Sequence, residues 1–382
     1  MSEPARKPGP ESYTQRDMPE IVKLAGKIKQ TKSYAVKTAN GGSYIDGVPM
    51  LEWGQWRDNT YIGCIAAVME VLGAPVSYET LMGVSGLCYR FAMKPDWCPS
   101  ATMAQVGTVW DDQINALIGY KMYSIKSDGK RDKQVRANLA AGRPVLGVGL
   151  TDEPDWHMLT GYSENAFFGR SYFDTQLTNP ASRYYNPERN IFHTENNYRR
   201  AVQYPGEYPQ DLLRFFDKPC EKAQLRALLK KSLEICLAYS THKPTYGAVF
   251  GEAALRVLME GFGKSDGEWA ESRRNENYHV GCLADARRAA YVYLRESAAL
   301  LRGANREKLL GVAEAYRSIA DELLAVLPYA MLNEAFAFNG SSAEPWSGDI
   351  RLGLAAALRK AIDTEKIIQG CVKEILDHWE DA

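Results

Sequence analysis

Three residues of this sequence have the types and the order that thiol-based acyl transfer requires. Cys64 lies in the apolar stretch "NTYIGCIAAVMEVLG", His157 is the second residue of "WHMLTGY", and Asp174 ends "FFGRSYFD". A thiol becomes a good nucleophile when a neighbouring base removes its proton and a third group orients that base. The order Cys, His, Asp therefore predicts a catalytic triad, although each residue alone also fits a structural role.

The elements that carry these residues determine whether they can meet. The spacing of apolar residues predicts a helix over 59–73, closed by Gly73. The stretches 156–162 and 167–174 have the composition of strands, and the short polar turn "SEN" between them predicts a hairpin. Because a hairpin brings its two open ends together, we expect His157 and Asp174 to lie within hydrogen-bond reach of each other.

The rest of the chain divides near residue 218. Upstream, short apolar runs alternate with turn residues, and further strands are predicted at 119–125 and 145–150. Downstream, nearly every stretch repeats apolar residues at the spacing typical of packed helices. The sequence therefore predicts an α+β fold. Its parts are a flexible tail over 1–29, an α+β domain over 30–217 and a helical domain over 218–382, with 176–217 as a lid or a packed linker.

Composition excludes several classes of partner. The chain has 46 basic and 47 acidic residues and a net charge of −1, so no overall field favours nucleic acid or an anionic membrane. No stretch approaches the roughly 18 apolar residues that span a bilayer. The seven cysteines show no paired metal-ligand spacing. We therefore expect reduced thiols in a cytoplasmic protein, with no metal and no cofactor, while a homodimer stays open.

Several stretches carry a family resemblance. They are "WGQWRDNTYIGCIAAVMEVLG" (53–73), "SYETLMGVSGLCYRFAM" (77–93), "DWCPSA" (96–101), "WHMLTGYSEN" (156–165), "GRSYFD" (169–174) and "GCLADARRAAYVYLRESAALL" (281–301). Together they resemble a family of bacterial proteins in which a papain-like N-terminal domain, similar to the acyltransferase of butirosin biosynthesis, precedes a helical domain. The resemblance implies a papain-like fold, acyl transfer through a cysteine, and a small-molecule or acyl-carrier substrate in specialised metabolism.

One position departs from the pattern that the resemblance implies. In such helices the nucleophile lies at the first turn, where backbone N–H groups and the macrodipole stabilise a thiolate. Counting back from Gly73 places Asn59 or Thr60 there. Cys64 lies further along, about 140° around the helix from Asn59 and inside its second turn. Either the register is shifted and Cys64 acts, or Asn59 has replaced the nucleophile. We expect Asn59 or Thr60 to face His157.

Four residues are candidate contacts for a substrate. Asn59 and Thr60, with the backbone N–H groups beside them, have the donors needed to hold an oxyanion. Arg90 and Arg170 have the planar fork that clamps a carboxylate or a phosphate, with structural ion pairs as the alternative. The sequence indicates no residue set for a metal ion.

Two classes of function remain open from the sequence. In the first, an acyltransferase or amide-processing enzyme, the acyl group would rest on Cys64, His157 would move protons, and Asp174 would orient the imidazole. In the second, a non-catalytic protein, the same cleft between helix and hairpin would bind a small molecule or a carrier protein. We expect this cleft to be covered by residues 176–217 or by the helical domain, because ligand sites favour domain boundaries.

Overall fold

The structure is a computed structural model that describes most of the chain. The described residues are 34–39, 42–49, 51, 53–98, 111–123, 131–148, 156–162, 164, 167–172, 213–240, 247–272, 276–328 and 346–381. Asp174, the predicted tail 1–29 and most of the connection 176–217 lie outside these residues. The pairing of His157 with Asp174 therefore stays a prediction.

The described residues form a small antiparallel sheet, several flanking helices and a helical C-terminal region. In chain order the elements are β1 (Val36–Ala39), β2 (Gly42–Ile45), α1 (Thr60–Val71), α2 (Tyr78–Val84), β3 (Ala92–Met93), α3 (Asp111–Ile118), α4 (Arg131–Ala140), β4 (Val145–Val148), β5 (Trp156–Tyr162), β6 (Phe167–Ser171), β7 (Leu213–Arg214), α5 (Leu225–Ser240), β8 (Val249–Phe250), α6 (Glu252–Phe262), α7 (Asp266–Ser272), α8 (Glu276–Ser297), α9 (Gly303–Val326) and α10 (Gly348–Asp377). Short 3-10 helices cover Ala298–Leu300 and Trp379–Asp381.

The larger sheet is built around β5. Its strands follow the order β1, β2, β5, β4, β7, and β6 pairs with the other side of β5. The antiparallel pairing of β5 with β6 confirms the predicted hairpin, and it places His157 opposite Ser171. On its other side His157 is paired with Gly147 of β4. Since both neighbours are small, the backbone of the hairpin leaves room for an imidazole.

Helices cover both faces of this sheet. Trp156 packs on Tyr61 of α1, with ring centroids 4.5 Å apart. On the other face, the guanidinium of Arg136 in α4 lies 5.0 Å from the ring of Phe167. Phe167 lies on the same face of the sheet as His157. His157 is paired with Ser171 of β6, and Phe167 is an alternate residue of that strand, so its side chain points to the same face as that of Ser171. Residues 156 and 157 thus point to opposite faces.

Helix α1 lies in the interior. Every one of its residues except Glu70 is buried, which is expected of a helix that is apolar on all sides. Its approach to the sheet is close at Gly63, where an added Cβ would lie 1.7 Å from the Tyr172 hydroxyl oxygen. The predicted helix over 59–73 is therefore confirmed in type and nearly in length.

The helical C-terminal region shares its core with the sheet region. Helix α8 packs on α2 and α9, and α10 packs on α5, α6 and α9. Gly83 of α2 makes room for the ring of Tyr293 in α8. One contiguous cluster of buried apolar side chains extends from Ile45 to Trp379. Beyond residue 218 the described residues are mainly helical, with β8 as a strand, and they pack on the sheet region. The predicted domain boundary stays a prediction.

One predicted strand is different in the structure. Over 119–123, within the predicted strand 119–125, Tyr120 and Tyr123 form only isolated bridges, with Pro219 and Phe215. The Met122 N–H donates to the Asn115 side chain at 2.9 Å, so a strand partner cannot use it. Among the residues that the structure describes, every helix is too short or too polar to cross a bilayer.

Candidate functional site

Helix α1 begins at the position that the sequence indicated. Asn59 is the N-cap, with extended backbone angles, and its side-chain oxygen accepts the Ile62 N–H at 3.1 Å. Its own N–H donates to the Tyr78 hydroxyl at 2.9 Å. Asparagine is among the preferred N-cap residues because this bond satisfies a backbone donor that the helix leaves without a partner. Thr60, the first helical residue, is fully buried.

Cys64 lies in the protein interior. It is fully buried in the second turn of α1. It is also close to Tyr172, whose pKa is raised well above its ordinary value, first by burial and then by the charges of Cys64 and Asp58. The Tyr172 hydroxyl donates to the Arg57 carbonyl at 2.8 Å and so holds the ring over α1. Burial of this kind disfavours a reactive thiolate.

His157 is fully buried, but its strand directs it away from α1. Trp156 points to α1, and adjacent residues of a strand point to opposite faces. His157 therefore lies on the face that α4 covers. By this alternation the imidazole lies on the side of the sheet opposite α1, while the predicted contact of Asn59 or Thr60 with His157 stays a prediction. That expectation assumed that the side chain of His157 points to the face of the sheet that α1 covers. Only the contacts of β5 with the helices can determine this.

A network of buried polar groups lies at the start of α1 instead. Asp285 of α8 accepts hydrogen bonds through Oδ2 from the Tyr78 hydroxyl at 2.6 Å and from the Asp58 N–H at 3.2 Å. The Asp58 Oδ1 accepts the Gly54 N–H at 2.9 Å. Through Tyr78 the network also reaches the N–H of Asn59. The helical region thus contributes a carboxyl group to the N-terminus of α1.

The environment of this carboxyl group favours its protonated form. Burial first, and the nearby charge of Asp58 second, raise the pKa of Asp285 to about 8, against the opposing effects of the hydrogen bond from Tyr78 and the charge of Arg288. The pKa of Tyr78 is likewise raised, by burial first and by Asp285 second. A buried acid that stays neutral donates a hydrogen bond where an ionised one would only accept.

The segment of residues 53–59, which we call the entry loop, covers this network. Trp53 contacts Tyr172 at 4.9 Å and Tyr278 of α8 at 5.7 Å between ring centroids. The Arg288 guanidinium lies 5.0 Å from the ring of Trp56. Trp56 has a φ of 56°, which is rare and strained for a bulky side chain. Such strain is found where surrounding contacts hold the backbone, often at functional sites.

Part of the entry loop is accessible to a ligand. Gln55 and Arg57 are exposed, and Trp53 is partly buried. An aromatic ring beside an amide and a cation offers stacking, hydrogen bonding and charge within one short segment. These three residues form the accessible surface nearest to the N-terminus of α1 along the chain.

The two predicted arginine clamps have structural contacts. Arg90 is buried, with its guanidinium 5.6 Å from the ring of Phe250. Burial lowers its pKa, against the effects of Tyr239 and Tyr278. Arg170 donates from Nε to the Val48 carbonyl at 3.4 Å. Neither contact tests whether these residues also bind a substrate.

The tryptophan of the motif "DWCPS" packs against the helical region. Trp97 is buried, and its ring lies 5.6 Å from Phe262, 5.7 Å from Trp269 and 5.7 Å from His279. An added Cβ on Gly261 would collide with it. His279 Nε2 lies 3.1 Å from the Trp97 carbonyl oxygen, which can only accept, so the imidazole donates. Trp97 thereby fixes this loop on the helical region.

Sequence reasoning missed Asp285, Tyr78 and His279. One available signal was the spacing of Tyr278, Cys282, Asp285 and Ala289 in α8, which places an acid on an apolar stripe. An acid on a buried stripe needs a partner or a proton. The part of the chain that the structure describes contains no group of three or more His, Cys, Asp or Glu residues able to hold a metal ion.

Comparisons with known proteins add no family to this description. No protein-family model matches the chain, and no curated protein matches it.

Proposed function

We propose that this protein is a non-catalytic binding module on a papain-like scaffold, in which Asn59 occupies the place of the nucleophile. One observation carries the proposal. The residue at the N-terminus of α1 is an asparagine whose side-chain oxygen is already used to cap the helix. An amide is not a nucleophile for acyl transfer, and a thiolate at a helix N-terminus is what the macrodipole would activate.

The alternative is an acyltransferase that uses Cys64. Its sulfur would have to receive an acyl group inside the core, more than one turn from the N-terminal end of α1. The buried thiol and the orientation of β5 both argue against that route. The ligand class that we propose is a small molecule or the acylated arm of a carrier protein. It would lie on the entry loop against Trp53 and Arg57.

The test uses acetyl-pantetheine, which reproduces the acylated arm of a carrier protein. We expect saturable binding in isothermal titration calorimetry without consumption of the thioester. Trp53→Ala should weaken this binding at least about fivefold, since truncation of an aromatic anchor at a binding surface costs about 1 kcal/mol or more. Cys64→Ala should leave the affinity unchanged. An absence of saturable binding to the unmodified protein would refute the binding function for this ligand class.

A second measurement addresses catalysis directly. Iodoacetamide labelling followed by peptide mapping should modify exposed Cys220 much faster than buried Cys64 in the same molecule. Cys220 is thus an internal control for reagent activity. An acetyl group found on Cys64 after incubation with the thioester, or turnover that Cys64→Ala abolishes, would establish the enzyme instead.

A further inference from the structure

One face of helix α10 is exposed to solvent. Its buried residues, which include Leu354, Ala361 and Ile368, pack on the side where α5, α6 and α9 lie. The opposite side is a row of exposed residues spaced by three or four positions, as one face of a helix requires. The residues of this row, which we call the α10 ridge, are Leu352, Ala356, Arg359, Asp363, Ile367 and Gly370. From its first to its last residue the ridge is about 27 Å long.

The α10 ridge has apolar side chains where a helix that faces water normally has polar ones. Leu352 is 62% exposed and Ile367 is 65% exposed. In the part of the chain that the structure describes, the one other large apolar side chain that is exposed is Val36 of β1, at 39%. A Cβ added to Gly370 would meet no atom within 4 Å, so the packing of its own chain does not require a glycine there. Since glycine inside a helix costs stability, its presence is explained by the close approach of another surface.

Two opposite charges lie in the middle of the α10 ridge. Arg359 and Asp363 are exposed one turn apart, and neither forms an ion pair with a described residue. The lysines at the two sides of the ridge differ, because both have partners in their own chain. Lys360 is paired with a glutamate of α9 at 2.8 Å, and Lys366 with a glutamate of α6 at 3.6 Å. The charges available to another molecule are therefore those of the ridge itself.

The α10 ridge is complementary to a second copy of itself. When two α10 helices lie antiparallel with Leu352 opposite Ile367 of the second copy, a two-fold axis passes between positions 359 and 360 and creates the same apolar contact at both ends. Arg359 of each copy then lies within one turn, about 4.5 Å along the helix axis, of Asp363 of the other copy. A parallel pair in register would place Arg359 beside Arg359 and Asp363 beside Asp363. The order of charges along the ridge therefore favours the antiparallel pair.

We propose that the α10 ridge is the contact surface of a homodimer in which the α10 helices of two copies pack antiparallel. Leu352 and Ile367 form its apolar contacts, Arg359 and Asp363 pair between the copies and fix the register, and the paired lysines beside them form the polar rim that is usual at an interface. With one helix from each copy the interface is small, so we expect a weak dimer with a Kd on the order of 10 μM. The inference involves no residue of the entry loop and is independent of the proposed binding function.

The test is sedimentation velocity of the full chain at a series of protein concentrations that spans this Kd. The weight-average mass should rise with concentration from that of one chain toward that of two. Ile367→Gln should raise the Kd at least about tenfold, because a two-fold interface contains each substitution twice. Val36→Gln is the matched control, since it removes an exposed apolar side chain outside the ridge. It should leave the Kd unchanged.

Charge reversal tests the orientation of the two helices. Arg359→Glu alone and Asp363→Lys alone should each raise the Kd at least about fivefold, because each places like charges together at both symmetric positions. The double variant should recover the original Kd, and so should an equimolar mixture of the two single variants, because opposite charges meet again in both cases. A protein that stays monomeric at every concentration would overturn the proposal. A dimer that neither Ile367→Gln nor the single charge reversals weaken would also overturn it, because its interface would lie on another surface.

Discussion

Acid should destabilise this protein through His279, because that histidine is buried in a neutral form. The imidazole is fully buried in α8 and donates to the Trp97 carbonyl at 3.1 Å. Burial lowers its pKa to about 4, and the hydrogen bond to Trp97 only partly opposes this shift. Protonation would place a cation in the buried core beside the rings of Trp97 and Tyr278.

The size of the effect follows from the shift. The pKa falls from 6.5 to about 4, a difference of about 2.5 units. At about 1.4 kcal/mol per unit this corresponds to about 3 kcal/mol of unfolding free energy. Because the folded pKa is depressed, the contribution is present above the unfolded value of 6.5. It is lost as the pH falls from there through about 4.

Urea unfolding at a series of pH values from about 7 down to about 4 measures this loss. His279→Gln keeps an N–H donor for Trp97 but does not titrate. It should be less stable at neutral pH and show a smaller loss with acid. The matched control is His378→Gln, since His378 is exposed at the end of α10. Its acid response should match that of the unmodified protein.

An NMR titration of the His279 imidazole tests directly whether burial lowers its pKa. His279 should remain neutral near pH 6, where an exposed histidine is largely protonated. An ordinary titration near pH 6.5 would refute the argument from burial. So would an unchanged acid response in His279→Gln, because the stability loss would then arise at other groups.

Two further substitutions test the packing around α1 and α8. Gly63→Ala would place a Cβ 1.7 Å from the Tyr172 hydroxyl oxygen, so we expect a loss of about 1–3 kcal/mol in urea unfolding. Adding Tyr172→Phe should recover part of that loss, and strictly additive effects would contradict the proposed collision. Glu365→Gln would leave the buried Arg287 without its carboxylate, which lies 2.7 Å away, at a cost of about 3 kcal/mol or more. The control Glu374→Gln, in an exposed pair with Lys308, should cost less than about 1 kcal/mol, and an equal loss in both variants would refute the distinction.

The sequence predicted the features of the fold that local patterns encode. The count back from Gly73 reached Asn59 or Thr60, and the N-cap is Asn59, because the length of a helix between its caps is a local property. The turn after Tyr162 located the hairpin of β5 and β6, and the apolar spacing located the C-terminal helices. Each of these signals is contained within one element or one turn.

The sequence did not predict how the elements face each other. Asp58 and Asp285 are separated by 227 positions, and no local pattern pairs them. His157 alternates with Trp156, but only the contact of Trp156 with Tyr61 shows which of the two faces α1. The triad hypothesis required His157, and not Trp156, to face α1. A one-residue difference in the phase of a strand moves every side chain to the other face.

The N-terminus of α1 supports our proposal of a binding function over catalysis. An N-cap asparagine stabilises a helix by about 1 kcal/mol relative to alanine, and a thiol cannot supply the same carbonyl oxygen. In an enzyme the lost cap hydrogen bond is tolerated because the nucleophile has to lie at the N-terminus of the helix. Here Asn59 makes two stabilising hydrogen bonds. Its side-chain oxygen accepts the Ile62 N–H, and its own N–H donates to the Tyr78 hydroxyl. The backbone at the start of the helix is thus bonded within the buried network, and the accessible side chains of the entry loop are Trp53, Gln55 and Arg57.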